Sequence, residues 1–293
     1  MLRASAVVVT HQSEDTVATT LRALAQLPLE EVIVVDNDST DETSHVAAAA
    51  LPANGRLVRQ ANRGFGAGNN RGVAELTAPA EFVLFLNPDA AIDRASFDRL
   101  LAHIDAHPTV AMVGPSVWRD GEALRSAGRD ASVLTEWARE LPRALSRWLP
   151  ARPLEPGAAR TGPVGYVEGA CMLVRLEALR AVGGFDEGFF LFFEELDVGN
   201  RLRAKGWQVH HVADAFAGHE QSTSRKAVTG GAQEHYWAST WLYLRSYRGR
   251  ASAAAWSAAA RATWRLRRTT GRMDPATHQR WLAALDAVRS RTP

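Results

Sequence analysis

Four short strand-like runs alternate with helical segments in the first 86 residues, and this alternation restricts the fold more than any other feature. The runs are ASAVVVT (4–10), EVIVV (31–35), RLVRQ (56–60) and EFVLFL (81–86). The mostly apolar runs lack the polar–apolar alternation of a half-exposed strand, which is typical of strands covered on both faces. Short connections between alternating strands and helices therefore predict an α/β fold with a mainly parallel sheet flanked by helices.

Polar clusters follow these strands directly. They are Thr10-His11, DNDSTD (36–41), NRGFGAGNN (62–70) and Asn87-Pro88-Asp89. The carboxyl ends of parallel strands share one edge of the sheet, where ligands bind in open α/β folds. We therefore predict a nucleotide-binding half over residues 1–118. Asp89, held in a rigid turn, is a candidate ligand for a divalent cation, although a lone acid at a strand end is more often a turn or helix cap.

The glycine cluster at Gly64, Gly66 and Gly68 raises the alternative of a dinucleotide-binding enzyme. Its spacing differs from GxGxxG, and it follows the third strand rather than the first. The expected fingerprint lies after the first strand of such a fold, so this alternative is disfavoured. The glycines remain candidates for a close backbone approach to a phosphate or sugar, or for a simple turn at a helix start.

The stretch FFLFFEELDVGNRLR (189–203) places Glu194, Glu195 and Asp197 at the start of a predicted helix, directly after an aromatic run. Burial raises the pKa of a carboxyl group, whereas the positive end of a helix lowers it. Opposed influences of this kind tune a general base. The other interpretation is a helix start whose acids only favour the helix dipole.

The amino-acid composition excludes several classes of protein. The chain of 293 residues has one cysteine, Cys171, which excludes an internal disulfide framework and a cysteine-rich zinc site and suits the cytoplasm. The N-terminal residues predict no signal peptide, and the sequence predicts no apolar run long enough to span a bilayer. From Arg245 onward there are eleven arginines and two acids, so this tail is strongly basic although the whole chain has a formal net charge of +2.

The basic tail also carries Trp241, Trp256, Trp264 and Trp281. Tryptophan beside clustered arginine predicts either an interfacial helix on an anionic membrane or a helical hairpin that packs its tryptophans inward. We leave both open at this point. No nucleic-acid recognition module accompanies the arginines, so nucleic acid is not expected as a partner.

A set of motifs occurs in the order seen in family 2 glycosyltransferases. They are VVVTHQSEDTVATTLRAL, VVDNDSTDET, NRGFGAGNNRG, LFLNPDA and GGFDEGFFLFFEELDVGNRLRAKGW, followed by His219. Residues 4 to about 220 therefore resemble that family and its GT-A fold. The segment from Gly162 to Trp207 resembles its rhamnosyltransferase branch, which includes actinobacterial enzymes that add rhamnose to N-acetylglucosamine on a polyprenyl diphosphate.

The resemblance implies a domain organisation. It predicts a GT-A catalytic domain over 1–228, with the nucleotide-binding half (1–118), a helix-containing insertion (119–163) and an acceptor half (164–228). A helical extension would occupy 229–293. A lipid-linked acceptor would make a peripheral position on the inner face of the plasma membrane useful.

The resemblance also implies roles for individual residues. Glu195 corresponds to the catalytic base, with Glu194 before it and Asp197 after it as a support. Asp89 and His219 correspond to ligands of Mg²⁺ or Mn²⁺. The positions implied in nucleotide-sugar binding are Thr10, His11, Asp36, Asn37, Ser39, Asn62, Gly64, Phe65, Asn70 and Asn87.

Two positions depart from the family pattern. The metal motif reads Asn-Pro-Asp, so Asn87 stands where a carboxylate is usual, and the base is the longer glutamate rather than aspartate. The implied reaction is an inverting, metal-dependent transfer from dTDP-L-rhamnose to a glycan, polyprenyl-linked or small-molecule acceptor. The alternatives are another donor (UDP-galactofuranose, UDP-N-acetylglucosamine or a dTDP-deoxysugar), a natural-product acceptor, or a weakly active nucleotide-sugar-binding subunit.

Overall fold

The computed structural model describes residues 3–124, 126–128, 130–138, 160–219 and 231–291. These residues form two compact units. The first contains the described residues up to 128, 160–190 and 194–219, and the second contains 130–138, 191–193 and 231–291. The domain boundaries inferred from the resemblance, 1–228 and 229–293, remain a prediction.

The first unit is built on one large, mostly parallel sheet. Its strands are β1 (Ala4–Thr10), β2 (Leu29–Asn37), β3 (Gly55–Gln60), β4 (Phe82–Leu86), β5 (Ala90–Ile92), β6 (Val110–Arg119), β7 (Glu122–Ala123), β9 (Gly162–Pro163), β11 (Cys171–Arg175) and β12 (Gln208–His219). The order is β3-β2-β1-β4-β11-β6-β12-β5, with β7 beside β6 and β9 beside β12. Two further strands, β8 (Ala127–Gly128) and β10 (Tyr166–Val167), form a small antiparallel pair.

Strand directions confirm the predicted parallel sheet and add antiparallel members. β1, β2, β3 and β4 are parallel neighbours, and β12 runs parallel to β6. β11 lies antiparallel between β4 and β6, and the short edge strand β5 pairs antiparallel with β12. All seven residues of β1 are buried, as expected for a strand covered on both faces.

Helices cover both faces of this sheet. They are α1 (Val17–Leu24), α2 (Thr43–Ala50), α3 (Phe65–Ala74), α4 (Arg94–Ala106), α6 (Leu176–Ala181) and α7 (Glu194–Ala204). Leu21 of α1 and Phe97 of α4 belong to the core on one face, whereas Leu179 of α6 and Val198 of α7 belong to the core on the other. Of these helices, α1, α2 and α3 follow the carboxyl ends of the parallel strands β1, β2 and β3.

The second unit is helical. It contains α5 (Val133–Ala138), α8 (Ala232–Arg248), α9 (Arg250–Thr269) and α10 (Pro275–Arg291). The helix predicted within the 119–163 insertion corresponds to α5 as far as residue 138, and residues 139–159 of that insertion lie outside the described residues. Within the described part of the chain, no helix is both long and apolar enough to cross a bilayer.

Tryptophans form the core of the helical unit. The Trp237 ring lies 5.9, 5.5 and 5.6 Å from the rings of Trp256, Trp264 and Trp281, and Trp256 and Trp264 are fully buried. Buried aromatic rings contribute packing energy inside the unit and are not exposed for insertion into a bilayer. The structure therefore favours the inward-packing interpretation for these side chains, while arginines such as Arg265, Arg268 and Arg272 are exposed.

Candidate active site

Asp36, at the end of β2, organises the strand tips of the predicted nucleotide-binding half. Its buried carboxylate accepts hydrogen bonds from Thr10 Oγ1 at 3.2 Å, from Ser39 Oγ at 2.5 Å and from Ser44 Oγ. Its Oδ2 also lies 3.2 Å from Arg59 Nε. A carboxylate with several donors is fixed in one orientation. Asp36 therefore fixes β1, β2 and the Ser39 turn relative to one another before any ligand binds.

A second network joins the first three polar clusters. His11 Nδ1 donates to the Asn37 carbonyl oxygen at 2.8 Å, and Asn37 Nδ2 donates to the Gly64 carbonyl oxygen at 3.0 Å. The Gly64 amide in turn donates to Asn62 Oδ1 at 3.1 Å. The structure thus brings these four predicted nucleotide-sugar residues together, and their contact with a ligand remains a prediction.

The glycines around α3 are required by close packing. Gly64 has φ +99°, a left-handed conformation that favours glycine, and a Cβ there would overlap the Phe190 backbone. A Cβ on Gly68 or Gly72 would overlap the side chains of Val9 and Val7, respectively. These residues let α3 lie directly on β1. Close packing therefore explains Gly64 and Gly68, two of the three glycines that raised the dinucleotide-binding alternative.

Asn70 joins α3 to the loop that precedes the acid cluster. Its Nδ2 donates to the Phe185 carbonyl oxygen at 2.9 Å, and its Oδ1 accepts from the Phe185 amide at 2.8 Å. The same Nδ2 lies 3.2 Å from Glu187 Oε1. A carboxamide that satisfies both backbone groups of one residue acts as a clamp. The predicted role of Asn70 in donor binding must therefore be compatible with these hydrogen bonds.

Asp89 and His219 lie together at the carboxyl edge of the sheet, and their role as metal ligands remains a prediction. His219, at the end of β12, has its Nε2 3.1 Å from Asp89 Oδ1. The Asp89 side chain is 2% exposed, and its Oδ2 has no hydrogen-bond partner among the described residues. Asn87, at the start of the motif, is held by a hydrogen bond from its amide to the Ala170 carbonyl oxygen at 3.0 Å.

The donor set at this pair suits a hard divalent cation. One carboxylate oxygen and one imidazole are ligands that Mg²⁺ and Mn²⁺ accept, and a buried carboxylate oxygen without a protein partner can be satisfied by a cation or a hydrogen-bond donor. In the described part of the chain, no group of three or more His, Cys, Asp or Glu side chains is arranged as a complete metal site. Two protein ligands leave further positions for phosphate oxygens and water, as is usual for Mg²⁺.

The acid cluster lies in the first turn of α7. Glu194 and Glu195 are buried, and the Oε2 atom of each has no hydrogen-bond partner among the described residues. Asp197 is paired with Arg201, whose Nη2 is 2.5 Å from Asp197 Oδ2. The preceding residues Phe192 and Phe193 have φ values of 68° and 70°, so a tight left-handed turn precedes α7.

Burial determines the protonation of these two glutamates. It raises the pKa of Glu194 to about 7, with smaller contributions from the charges of Glu168 and Asp197. Burial and the charges of Glu194 and Glu168 raise the pKa of Glu195 well above its ordinary value. Desolvation therefore outweighs the hydrogen bonds at the helix start, which act in the opposite direction. Raised proton affinity is the property a general base for a hydroxyl group needs.

Glu168 is a site residue that the sequence reasoning missed. It lies between β10 and β11, two residues before Ala170, whose carbonyl oxygen holds Asn87. Its charge acts on both Glu194 and Glu195. The available signal was an acid separated by one glycine from the apolar run ACMLV (170–174), but the sequence gives no indication of its proximity to residues 26 or more positions later.

A family profile decides the class of protein. Residues 5–183, more than half of the chain, match Glycosyl transferase family 2. The chain belongs to this family. The N-acetylglucosaminyl-diphospho-decaprenol L-rhamnosyltransferase of Mycobacterium tuberculosis is 32% identical to this family 2 glycosyltransferase over 234 residues, which cover 73% of this chain and 74% of the relative.

Two solved structures share the fold of this glycosyltransferase. Staphylococcus aureus TarS 1–349 in complex with UDP-GlcNAc superposes with a TM-score of 0.57 at 17% identity, covering 100% of this chain and 82% of that chain. The mannosyltransferase PcManGT from Pyrobaculum calidifontis, in complex with GDP-Man and Mn²⁺, gives 0.55 at 15% identity, covering 99% and 76%. The predicted GT-A architecture, with its mostly parallel sheet and C-terminal helices, is confirmed.

Proposed function

We propose that this glycosyltransferase transfers L-rhamnose from dTDP-L-rhamnose, with inversion, to a hydroxyl of a lipid-linked glycan acceptor. The observation that carries the proposal is the buried pair Glu194–Glu195, whose Oε2 atoms have no hydrogen-bond partner among the described residues. Acid groups in this state are prepared to exchange a proton with a substrate hydroxyl. The similarity to the mycobacterial L-rhamnosyltransferase supports the sugar and the lipid-linked acceptor.

The reaction needs a base on the acceptor side. Glu195 takes the proton of the attacking hydroxyl as the new glycosidic bond forms and the bond to the nucleoside diphosphate breaks. Attack from the face opposite the leaving group inverts the anomeric carbon, so no covalent sugar–carboxylate intermediate is needed. Glu194 and Glu168 raise the proton affinity of Glu195 by their charges. Asp197, paired with Arg201, supports the helix start.

The donor side uses the strand tips and the Asp89–His219 pair. Asp89 and His219 would hold Mg²⁺ or Mn²⁺, which when bound supplies positive charge for the departing diphosphate. Thr10, Asp36 and Ser39 fix the strand tips through their mutual hydrogen bonds. The hydrogen bonds between His11 and Asn37 and between Asn37 and Gly64 hold these residues, which are predicted to contact the nucleotide sugar, in fixed positions. Such preorganisation lowers the cost of ordering the site when the donor binds.

The enzyme is proposed to act at the inner surface of the plasma membrane. Exposed arginines of α9 and the segment after it, such as Arg265, Arg268 and Arg272, suit the headgroups of anionic lipids. With the tryptophans buried, attraction to the membrane would be electrostatic, which is weaker and more salt-dependent than insertion of aromatic rings.

A donor screen tests the function. The purified chain is incubated with Mg²⁺, with N-acetylglucosaminyl-diphospho-farnesol as acceptor, and separately with dTDP-L-rhamnose, UDP-galactofuranose, UDP-N-acetylglucosamine or another dTDP-deoxysugar. We expect release of dTDP and formation of the rhamnosylated product only with dTDP-L-rhamnose. Transfer from one of the other donors alone would reject rhamnose. If the donor binds but no donor is consumed with any acceptor, a nucleotide-sugar-binding subunit is the better description.

A further inference from the structure

A surface groove of about 600 Å³ opens beside the edge strand of the first unit. Its walls include the two rings Trp118 and Phe216, which are 38% and 46% exposed and lie edge to face with centroids 6.3 Å apart. Ala23 of α1 lines another part of the groove. Exposed apolar side chains that cluster around a groove make it a candidate binding surface.

The register of the sheet explains the shape of the groove. Trp118 on β6 pairs with Gly218 on β12, and Gly218 pairs with Ala91 on β5, so the three residues form one row across the sheet. Side chains in such a row point to the same face, and Phe216 shares that face because it precedes Gly218 by two residues. A Cβ on Gly218 would have only the Ala91 carbonyl oxygen near it, at 4.0 Å. The small residues form an open floor beside the aromatic rings.

The lining indicates the chemistry of the ligand. Most of its residues have apolar side chains or none, and Ala91, Trp118 and Phe216 are the ones among them that are partly or largely exposed on the face of the Gly218 row. Asp93 Oδ1 already accepts from the Ser96 amide at 2.6 Å. Arg94, the charged residue beside it, is paired with Asp98 through its Nε at 2.8 Å. A sugar would lose hydration there with few replacement hydrogen bonds, whereas a hydrocarbon chain needs none.

The position of the groove relates it to the reaction. Ala91 follows Asp89 by two residues and Gly218 directly precedes His219, so the groove and the Asp89–His219 pair are built from neighbouring positions at the paired ends of β5 and β12. We propose that this groove binds the first isoprene units of the acceptor lipid beside the transfer site. This inference rests on the proposed lipid-linked acceptor, and it assigns the hydrocarbon part of that substrate to Trp118, Phe216 and Gly218.

The test compares two acceptors that differ only in their lipid, N-acetylglucosaminyl-diphospho-farnesol and the corresponding diphospho-methyl compound. The wild-type KM is expected to be at least about tenfold lower for the farnesyl compound, since burial of each CH₂ group contributes to binding. Trp118→Ala, Phe216→Ala and the groove-filling Gly218→Val should remove most of this preference. The preference is the ratio of the two KM values within each variant, so a general loss of activity does not by itself produce this result. Leu266→Ala, which removes an exposed apolar side chain on α9, is the matched control and should keep the preference.

The other possible outcomes distinguish failure of the groove assignment from failure of the proposed transfer reaction. Equal KM values for both acceptors in the wild type would overturn the groove assignment and leave the transfer reaction intact. No transfer to either acceptor would reject the proposed function, and farnesyl diphosphate binding followed by NMR would then test the groove, with unchanged binding in Trp118→Ala counting against it. If Trp118→Ala reduces sedimentation with anionic vesicles but keeps the farnesyl preference, the groove contacts the membrane and the inference is wrong.

Discussion

The carbonyl oxygen of Phe190 accepts a hydrogen bond from the amide of Phe65, with 2.9 Å between nitrogen and oxygen. This contact joins the aromatic run before the acid cluster to the first residue of α3, which is 125 positions earlier in the chain. Amides at a helix start have no partner within the helix, so the Phe190 carbonyl satisfies one of them. The predicted donor-binding segment and the acid segment are therefore linked directly.

Replacement of Glu195 by Gln should reduce catalysis while the protein remains folded. We expect kcat to fall by about a thousandfold or more, which is within the range for loss of an essential base. The fold should be retained, because glutamine is nearly isosteric and avoids a buried charge. Glu194→Gln is the matched control and should cost less activity. Equal activity of Glu195→Gln and the wild type would show that another group takes the proton.

The pH dependence of activity follows from the raised pKa values. A carboxylate base must be ionised to work, and the pKa of Glu194 is about 7 while that of Glu195 is well above its ordinary value. We expect kcat/KM to increase with pH through neutrality rather than to level off near pH 5. Glu168→Gln removes a charge that raises both values, so its profile should shift to lower pH. An unchanged profile in that variant would contradict the assignment.

The stability of the fold should decrease as pH rises, whereas activity should increase. A carboxyl whose folded-state pKa is raised binds its proton more tightly in the folded than in the unfolded chain, so the contribution is present at low pH and is lost as pH rises through the folded-state pKa. The melting temperature of the wild type should therefore decrease from pH 6 to pH 9 more than that of Glu195→Gln. Thermal unfolding of both at several pH values measures this. Parallel curves would show that Glu195 does not cause the decrease.

The metal assignment can be tested without turnover. Asp89→Asn and His219→Gln should each weaken Mn²⁺ binding in the presence of dTDP by about tenfold or more, because each removes a ligand or its charge. Electron paramagnetic resonance of free Mn²⁺ measures the affinity. His45→Gln, an exposed histidine on α2, is the control and should bind like the wild type. Unchanged affinity in both ligand variants would place the cation elsewhere.

The basic helical surface should bind anionic vesicles in a salt-dependent manner. Removal of α9 and α10 would expose the buried ring of Trp237, so charge substitution is the cleaner experiment. The triple variant Arg265→Gln, Arg268→Gln and Arg272→Gln should lose most sedimentation with phosphatidylglycerol vesicles, since each basic residue near such a surface contributes about 1 kcal/mol. Its melting temperature should stay near wild type. Full binding by the variant would exclude this surface.

Local patterns predicted the first four strands and the helices between them, because apolar runs and strand-end polar clusters are properties of neighbouring residues. The insertion of β11 between β4 and β6 was not predicted, since strand order depends on contacts between distant segments. Glu168 was missed for the same reason. The tail composition was compatible with both an interfacial and an inward-packed arrangement, and only the tertiary structure shows that the tryptophans contact one another.

The Asn70 clamp has a consequence for engineering and for the divergence of related chains. Because Asn70 binds both backbone groups of Phe185, and Gly64 leaves no room beside Phe190, the loop 185–190 cannot change its length independently of α3. A chimaera that exchanges only one of these segments would separate the clamp from its partner. The two segments are therefore coupled, and an exchange of either one should include the other.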